Sequence, residues 1–386
     1  MGKDKIFLFL ILIAVIFLIF ALDVPRYFLN QRGQFIIEHL QKNNILKDRG
    51  LTRTPISVKG VYVTFRTASN HRMEEIIDLI KKTELNSVVI DIKDYTGRIP
   101  FQTESDLIHG YGSEKIFIQD MKGLIEKLHN EGIYTIARIA VFEDDYLARK
   151  KTELALKTQS GALWHDNKGL TWLDPASQEV WDYTVALAKE AVKNGFDEIN
   201  LDYVRFPSDG ATALIKYPFW NKEIPKTEVI KNFFEYFNHR IKPLGVFISA
   251  DLFGLTLTST NDLNIGQWLE YAAPYFDYIC PMVYPSHYPS GFEGFENPAL
   301  HPYEVIYKGL TIGQERLASA SALNPDTKMA ILRPWLQDFD LGAIYDAPMV
   351  ESQKKAVYDA GLDSWLLWNP KNIYTEEGLE KAEKED

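Results

Sequence analysis

Cysteine is nearly absent from this chain, since Cys280 is the only one among 386 residues. A single thiol forms no intramolecular disulfide and no cysteine cluster that could bind a metal. Cys280 lies in the apolar run of residues 278–282, which predicts a buried and unreactive side chain. The eight histidines are scattered, without a His-x-His or His-Glu-x-x-His pair, so we expect neither a metal site nor another cofactor.

Basic side chains are too few to balance the acidic ones. The 42 Lys and Arg residues against 53 Asp and Glu residues leave a net charge of −11. A surface of this sign repels phosphate backbones, so we expect no nucleic acid among the partners. The Gly-x-Ser-x-Gly motif of serine hydrolases is also missing. Aromatic residues make up 13% of the chain, which suits binding of the apolar faces of sugar rings, although a large core rich in Phe and Tyr also explains them.

The N-terminal region contains a long apolar run. Residues 6–22 are all apolar, and Lys3 and Lys5 precede them. This length is at the short end for a membrane-spanning helix, and the preceding positive charges favour a cytoplasmic start with the remainder exported. We therefore predict a single-pass cell-membrane anchor at residues 1–22, a connector at residues 23–57 and an extracytoplasmic domain at residues 58–386. Secretion after cleavage of a signal peptide is the alternative.

From residue 58 onward, short β-branched or aromatic runs alternate with longer stretches of helical periodicity. This alternation predicts βαβ units and a parallel sheet. Strands are predicted at residues 58–65, 86–94, 133–142, 198–206, 246–254, 278–285, 328–335 and 363–370. Helices are predicted at residues 73–82, 122–130, 178–193, 228–240 and 349–360. Eight strands, with no Gly-x-Gly-x-x-Gly after the first, predict an α/β protein with a closed (β/α)8 (TIM) barrel rather than an open doubly wound sheet.

The fourth and fifth predicted strands direct carboxylates towards the barrel interior. Side chains alternate along a strand, and active sites of such barrels lie at the carboxyl ends of the strands. On strand four, Asn200 and Asp202 share the inward face, whereas Tyr203 belongs to the face that packs on the helices. On strand five, the same parity directs Ser249 and Asp251 inward. A buried carboxylate is costly unless it is paired or used, which makes Asp202 the first candidate for a functional role.

Other polar and aromatic residues are predicted at the strand ends. Asp202 either takes part in the chemistry or pairs with Arg138 or Arg205. Asp91 and Lys93 share one face of strand two, and they either serve the site or neutralise each other. The predicted substrate-binding residues are Asp91, Lys93, Arg138, Asn200, Arg205, Tyr284, His287, Arg333, Trp335 and Trp368. The two tryptophans of this set either support sugar rings or belong to the barrel wall.

Carboxylates, arginines and aromatic rings at one rim are what cleavage of a glycosidic bond requires. One carboxyl group protonates the leaving oxygen, and the other attacks the sugar or activates water. Aromatic rings hold the sugar faces, and arginine adjusts the pKa of a carboxyl group. Asp202 and Asp251 are the predicted catalytic pair, because they lie on neighbouring strands, which is compatible with the ~5–5.5 Å separation of retaining enzymes.

Motifs at several strands resemble one known family. They are Lys-Gly-Val-Tyr-Val-Thr at residues 59–64, Asn-Ser-Val-Val-Ile-Asp-Ile-Lys-Asp at 86–94, Trp-Leu-Asp-Pro at 172–175, the stretch 195–207 and Cys-Pro-Met-Val-Tyr-Pro at 280–285. These motifs resemble the putative glycosyl hydrolase domain family (DUF4015), which is distantly similar to the α-amylase-like barrels. The resemblance extends from residue 58 to residue 370, and its most specific element is Asp-Tyr-Val-Arg-Phe-Pro at 202–207. It implies a (β/α)8 barrel that acts on glycosidic bonds.

The resemblance also implies roles for individual residues. In α-amylase-like enzymes, an Asp at the end of strand four is the nucleophile, an Arg precedes it by two positions, and a Glu at the end of strand five is the acid. Asp202 matches the nucleophile, whereas Asn200 replaces the arginine and Asp251 replaces the glutamate. The stretch 196–204 also resembles the strand-four motif of family 18 chitinases. There Val204 stands at the catalytic Glu position, which disfavours substrate-assisted chitinase chemistry.

These features together predict an extracytoplasmic glycoside hydrolase that cleaves a cell-surface or secreted polysaccharide, or an oligosaccharide. In this hypothesis, Asp202 is the nucleophile or base and Asp251 is the acid, while Arg138 and Tyr284 position or polarise the substrate. The changed residues at positions 200 and 251 favour an alternative, a tethered carbohydrate-binding barrel without catalysis. A different hydrolase or lyase on the same scaffold is a third hypothesis, because a fold does not determine a function.

Overall fold

The described part of the chain, residues 57–382 of a computed structural model, contains nine β-strands in one parallel sheet. They are β1 (Lys59–Val63), β2 (Ser87–Lys93), β3 (Tyr134–Ala140), β4 (Glu198–Asp202), β5 (Phe247–Phe253), β6 (Tyr278–Met282), β7 (Ile331–Leu332), β8 (Trp335–Gln337) and β9 (Trp365–Trp368). Consecutive strands pair from β1 to β7, β8 pairs with β6 and β9, and β9 also pairs with β1, as in Lys59 opposite Trp365. The sheet is therefore a closed barrel.

The strands β7 and β8 share the seventh position of the barrel, because both pair with β6. Pro334 separates them, since it has no N–H group to donate to a ladder. Arg333 N still donates to Ile279 O at 2.9 Å, and Leu366 N donates to Pro334 O at 2.9 Å. The barrel thus has eight strand positions, which confirms the predicted (β/α)8 fold.

Helices separate most of the strands. They are α1 (Phe65–Ala68), α2 (Arg72–Lys82), α3 (Asp106–Tyr111), α4 (Met121–Asn130), α5 (Asp145–Lys150), α6 (Gln178–Lys193), α7 (Lys226–Ile241), α8 (Leu269–Ala272), α9 (Pro302–Leu323) and α10 (Ala347–Asp359). The five predicted helices are present as α2, α4, α6, α7 and α10, with ends within two residues of the prediction. The long α9 was not predicted. Its buried face includes Gly309 and Gly313, which weaken the apolar periodicity of a helix.

The hydrophobic core lies between the barrel wall and the helices. Ile199 and Leu201 of β4 are fully buried in it, together with apolar residues of α6 and α7. The barrel interior also contains buried polar and charged side chains. At its floor, Glu198 forms a buried ion pair with Arg333 and accepts a hydrogen bond from Ser249 Oγ at 2.5 Å.

Two long segments, residues 141–177 and 203–225, extend from the carboxyl ends of β3 and β4. One isolated antiparallel bridge, between Lys157 and Lys216, connects them. Asp174 joins them further, because its carboxylate accepts hydrogen bonds from Phe219 N at 2.7 Å and Trp220 N at 3.1 Å. These contacts build one wall above the barrel mouth.

No helix within residues 57–382 has both the length and the apolar character that a bilayer span requires. The predicted anchor at residues 6–22 lies outside the described residues, as does the connector except for its last residue, Ser57.

Candidate active site

A cavity of about 490 Å³ lies at the carboxyl ends of the strands. This volume is typical of sites for small ligands. Both predicted catalytic carboxylates border it. The other predicted site residues on its lining are Arg138, Arg205, Tyr284, His287, Trp335 and Trp368. Eight of the twelve predicted site residues therefore line this cavity.

Arg138 of β3 is the centre of the charge network. Its guanidinium donates to Asp91 Oδ1 at 2.5 Å and to Asp202 Oδ2, and its Nε lies 3.6 Å from Asp251 Oδ2. The ring of Trp368 lies against it, with its centroid at 4.9 Å. Since the side chain is 4% exposed, these carboxylates compensate a buried cation. Asp202 thus pairs with Arg138, one of its two predicted partners, and both residues of the pair line the cavity.

Asp202 is the last residue of β4. Besides the Arg138 contact, its Oδ1 accepts a hydrogen bond from Tyr203 N at 2.5 Å. Hydrogen bonds from a guanidinium and a backbone N–H suit a carboxylate anion. Asp202 therefore has the surroundings of a negatively charged group at the edge of the cavity.

Asp251 of β5 has different surroundings. Its Oδ1 accepts hydrogen bonds from Asn200 Nδ2 at 2.9 Å and from Trp335 Nε1 at 2.8 Å. Burial raises the pKa of Asp251 to about 8, and the charge of Asp202 adds to this rise, while Arg138 opposes it. A carboxyl group with this pKa holds a proton at neutral pH, as a general acid must.

Two predicted binding residues lie beneath the cavity and support these carboxylates. Asn200 is fully buried and donates to both Ser249 Oγ, at 3.0 Å, and Asp251. Asp91 is 1% exposed and accepts hydrogen bonds from Arg138 and Tyr62 Oη. Burial raises its pKa to about 6, against the effect of Arg138. Neither residue lines the cavity, so both act on substrate only through their neighbours.

The position of Lys93 corrects the prediction for strand two. Its ammonium group is completely buried and donates to Asp144 Oδ2 at 2.6 Å, so it neither lines the cavity nor neutralises Asp91. The cause is a register shift between β2 and β3, where Asp91 pairs with Arg138 but Lys93 pairs with the next residue, Ile139. Such a bulge turns the following side chain away from the face that strict alternation assigns to it.

The position of Arg333 corrects a second prediction. Its guanidinium is fully buried at the barrel floor, where both Nη atoms donate to the Glu198 carboxylate and Nη2 lies 3.6 Å from Cys280 Sγ. Arg333 points inward as expected, but Glu198 at the start of β4 holds it at the amino-terminal side of the barrel. Burial also raises the pKa of Cys280 to about 12, in agreement with an inert thiol.

Tyr203 corrects the prediction for the end of strand four. Its φ angle is 54°, a left-handed backbone conformation that is rare for a residue other than glycine. β4 therefore ends at Asp202, four residues before the predicted end, and Tyr203 lines the cavity while it also packs against the hydrophobic core.

Sequence reasoning also missed Glu143, in the segment after β3. It is 2% exposed, and its Oε1 has no hydrogen-bond partner among the described residues. Burial raises its pKa to about 8, against the charge of Arg205. Glu143 follows a strand in a long loop, where alternation carries no information, so no sequence signal pointed to it.

The tryptophans have different surroundings. Trp335 is 1% exposed and uses its N–H group to hold Asp251. Trp368 is half-buried, and its ring stacks on Tyr62 with centroids 3.8 Å apart. Trp368 is thus the more available of the two for contact with a sugar face.

No group of three or more His, Cys, Asp or Glu side chains within residues 57–382 is arranged to hold a metal ion. The carboxyl groups of the cavity can supply acid–base and nucleophilic chemistry, and its aromatic rings and cations can bind a ligand.

A (β/α)8 barrel with two unlike carboxyl groups at its mouth has the arrangement of a glycoside hydrolase. The sequence comparison agrees with this class. Residues 60–374 match the family described as putative glycosyl hydrolase domain (DUF4015), and the chain belongs to that family. It is thereby classed as a glycosidase. No curated protein matches the chain.

Solved structures with the same fold include glycoside hydrolases. The glycoside hydrolase domain of PgaB (BpsB) from Bordetella bronchiseptica is 12% identical, with 82% of this chain and 94% of that chain covered and a TM-score of 0.58. An alpha-L-fucosidase from Paenibacillus thiaminolyticus is 14% identical, with 84% and 48% covered and a TM-score of 0.52. A hypothetical protein from Ruminiclostridium thermocellum is 35% identical, with 50% and 96% covered and a TM-score of 0.46. The first two support the barrel fold.

Proposed function

We propose that this protein is an extracytoplasmic, membrane-tethered glycosidase that cleaves a cell-surface or secreted polysaccharide, or its oligosaccharides, by a two-carboxylate mechanism. The observation that carries the proposal is the contrast between two neighbouring carboxyl groups. Asp251 has a pKa raised to about 8, while Asp202 accepts hydrogen bonds from Arg138 and Tyr203 N. Pairs whose surroundings differ in this way divide the acid and base roles between them.

In the proposed reaction, the proton of Asp251 is transferred to the glycosidic oxygen as its bond to the anomeric carbon breaks. Asp202 either forms a bond to that carbon or takes a proton from the attacking water. Arg138 holds Asp202 in place. Trp335 and Asn200 donate to Asp251 Oδ1, so the proton is assigned to Oδ2, which lies 3.6 Å from Arg138 Nε. Tyr284 and Trp368 border the space that the sugar would occupy.

The decisive experiment is the Asp202→Asn substitution, measured on a panel of nitrophenyl glycosides and acidic and neutral polysaccharides. On any substrate that the wild type cleaves, we expect kcat/KM to fall at least about a thousandfold, which corresponds to about 4 kcal/mol of transition-state stabilisation. Asp326→Asn is the matched control, because Asp326 is exposed after α9. It should keep the wild-type rate.

Two results would contradict the proposal. Full activity of Asp202→Asn would remove this residue from the mechanism. The second result is binding of oligosaccharides without turnover, unchanged in the double variant Asp202→Asn, Asp251→Asn. It would favour the alternative of a non-catalytic carbohydrate-binding barrel, which the replacements at positions 200 and 251 suggest.

A further inference from the structure

One wall of the cavity carries positive charge that no carboxylate pairs with directly. Arg205, after β4, is 7% exposed and lines the cavity. Its Nη1 donates to Phe206 O at 3.1 Å and to Ser208 Oγ at 3.2 Å. Its guanidinium forms no ion pair with a carboxylate among residues 57–382, although the charges of Glu143, Asp202 and Asp209 act on it at longer range. A nearly buried cation therefore borders the cavity with neutral acceptors only.

Aromatic rings hold this guanidinium in place. The centroids of Trp172 and Phe253 lie 4.7 Å and 4.8 Å from it, and that of Tyr203 lies at 5.6 Å. Burial lowers the pKa of Arg205, but arginine keeps its proton in proteins. Retaining a charge in such surroundings costs free energy unless an anion compensates it.

The nearby Glu143 does not provide that anion at neutral pH. Burial raises the pKa of its carboxyl group to about 8, even though the charge of Arg205 acts in the opposite direction. The raised pKa favours the protonated form of Glu143, which weakens its compensation of the Arg205 charge.

A second cation borders the same wall. Lys168 is exposed on a turn of the segment after β3, and it lies close enough to His287 to contribute, after burial, to the lowered pKa of that imidazole. Asp209 also lines this wall, and its Oδ1 accepts a hydrogen bond from Asn167 N at 3.0 Å. Arg205 and Lys168 thus offer two cationic groups to the cavity beside Asp209, in a chain whose net charge is −11.

We propose that this wall is a subsite for an anionic sugar residue, in which Arg205 and Lys168 bind a carboxylate or phosphate group while Phe253 and Tyr203 contact the sugar ring. The inference rests on the proposed function, because it assigns a substrate class to the same cavity. It means that the natural substrate is an acidic saccharide. Guanidinium groups bind planar and tetrahedral oxyanions alike, so both sources of negative charge remain within one chemistry.

The test compares the binding of three monosaccharides to the full-length protein by ligand-observed NMR titration: glucuronate, glucose 6-phosphate and glucose. We expect at least one of the two anionic sugars to bind about tenfold more tightly than glucose. Preference for glucuronate identifies a carboxylate site, preference for glucose 6-phosphate identifies a phosphate site, and equal preference identifies a general anion site. Each of these three results supports the inference.

The variants Arg205→Met and Lys168→Met should each reduce that preference at least about threefold. Lys168 is exposed, so its variant tests the inference even if loss of the nearly buried Arg205 disturbs folding. Arg240→Met is the matched control, because Arg240 lies on α7 and stacks on Tyr236 at 3.4 Å, away from the cavity lining. It should leave the preference unchanged.

The inference is overturned if neither anionic sugar is preferred over glucose, or if the preference survives in both variants. These binding measurements need no turnover, so their outcome is independent of whether the proposed glycosidase activity is found. Loss of activity in Asp202→Asn without anion preference leaves the glycosidase intact and removes only the subsite. Anion preference together with a fully active Asp202→Asn variant would keep the subsite and contradict the proposed mechanism.

Discussion

Among single residues, Asp251 gives the candidate site its clearest dependence on pH. Its raised pKa means that the carboxyl group loses its proton as the pH rises through about 8. An acid that must donate a proton stops working above its pKa, so we expect kcat/KM to decline on the alkaline side of that value. Trp335 Nε1 donates to Asp251 Oδ1, and this hydrogen bond lowers the pKa because it favours the ionised form.

Trp335→Phe should therefore move the alkaline limb of the pH–rate profile to higher pH, since it keeps an aromatic ring but removes the donor. Trp368→Phe is the comparison variant, because Trp368 lines the same cavity but stacks on Tyr62, whereas the donor to Asp251 is Trp335. It should change the rate without moving the limb. An alkaline limb that stays in place in Trp335→Phe, or that moves equally in both variants, would argue against Asp251 as the acid.

Single residues also show where sequence reasoning succeeds and where it stops. Alternation placed Asp202 and Asp251 at the mouth, because β4 and β5 are regular up to those residues. It failed for Lys93 and Tyr203, where a register shift and a left-handed φ angle interrupt the regular strand. Both irregularities depend on contacts with neighbouring strands and loops, which a single sequence does not encode in any local pattern. The prediction for Arg333 was wrong for a different reason, since strand parity gives the direction of a side chain but not its depth in a barrel.

At the scale of elements, the floor of the barrel connects β4 to the seventh strand position. Glu198 and Arg333 form an ion pair that is 0% exposed on both sides, and Tyr134 Oη donates to Glu198 at 3.1 Å. Removing one member of a buried pair leaves the other charge uncompensated. We expect Arg333→Met to lower the free energy of unfolding by about 3–5 kcal/mol, measured by denaturant titration.

The double variant Arg333→Met, Glu198→Met should cost less than the sum of the two single variants, because it leaves no isolated charge behind. Lys81→Met is a suitable control, since Lys81 forms an exposed ion pair with Glu131 between α2 and the loop after α4. This exposed pair should contribute little. Additive effects of the two floor substitutions would show that the pair is not a coupled unit.

At the scale of the whole molecule, the fold follows from sequence better than the site does. Eight strand positions and five helices are set by apolar periodicities over many residues, so an error at one position does not change the outcome. The cavity depends instead on a few side chains contributed by β3, β4, β5, β6, β8 and β9 and by the loops that follow β3, β4, β5 and β6. Loop residues such as Glu143 and Lys168 have no periodic pattern, and only the folded chain brings them beside Arg205.

The proposed tether is also a property of the whole chain. Residues 6–22 are uninterrupted apolar side chains after Lys3 and Lys5, which favours a membrane anchor with the barrel outside the cell. In a bacterial host, we expect the full-length chain to stay in the membrane fraction after an alkaline carbonate wash, and a protease added to spheroplasts to degrade the barrel. A variant without residues 1–22 should be released from the membrane.

Ile13→Arg is a matched point variant, since an arginine at the centre of a span costs about 2.5–3.5 kcal/mol and should weaken insertion. A shortened chain that begins just after the apolar run and accumulates in the medium would instead establish cleavage and secretion, and a protease-resistant barrel in intact spheroplasts would contradict export altogether.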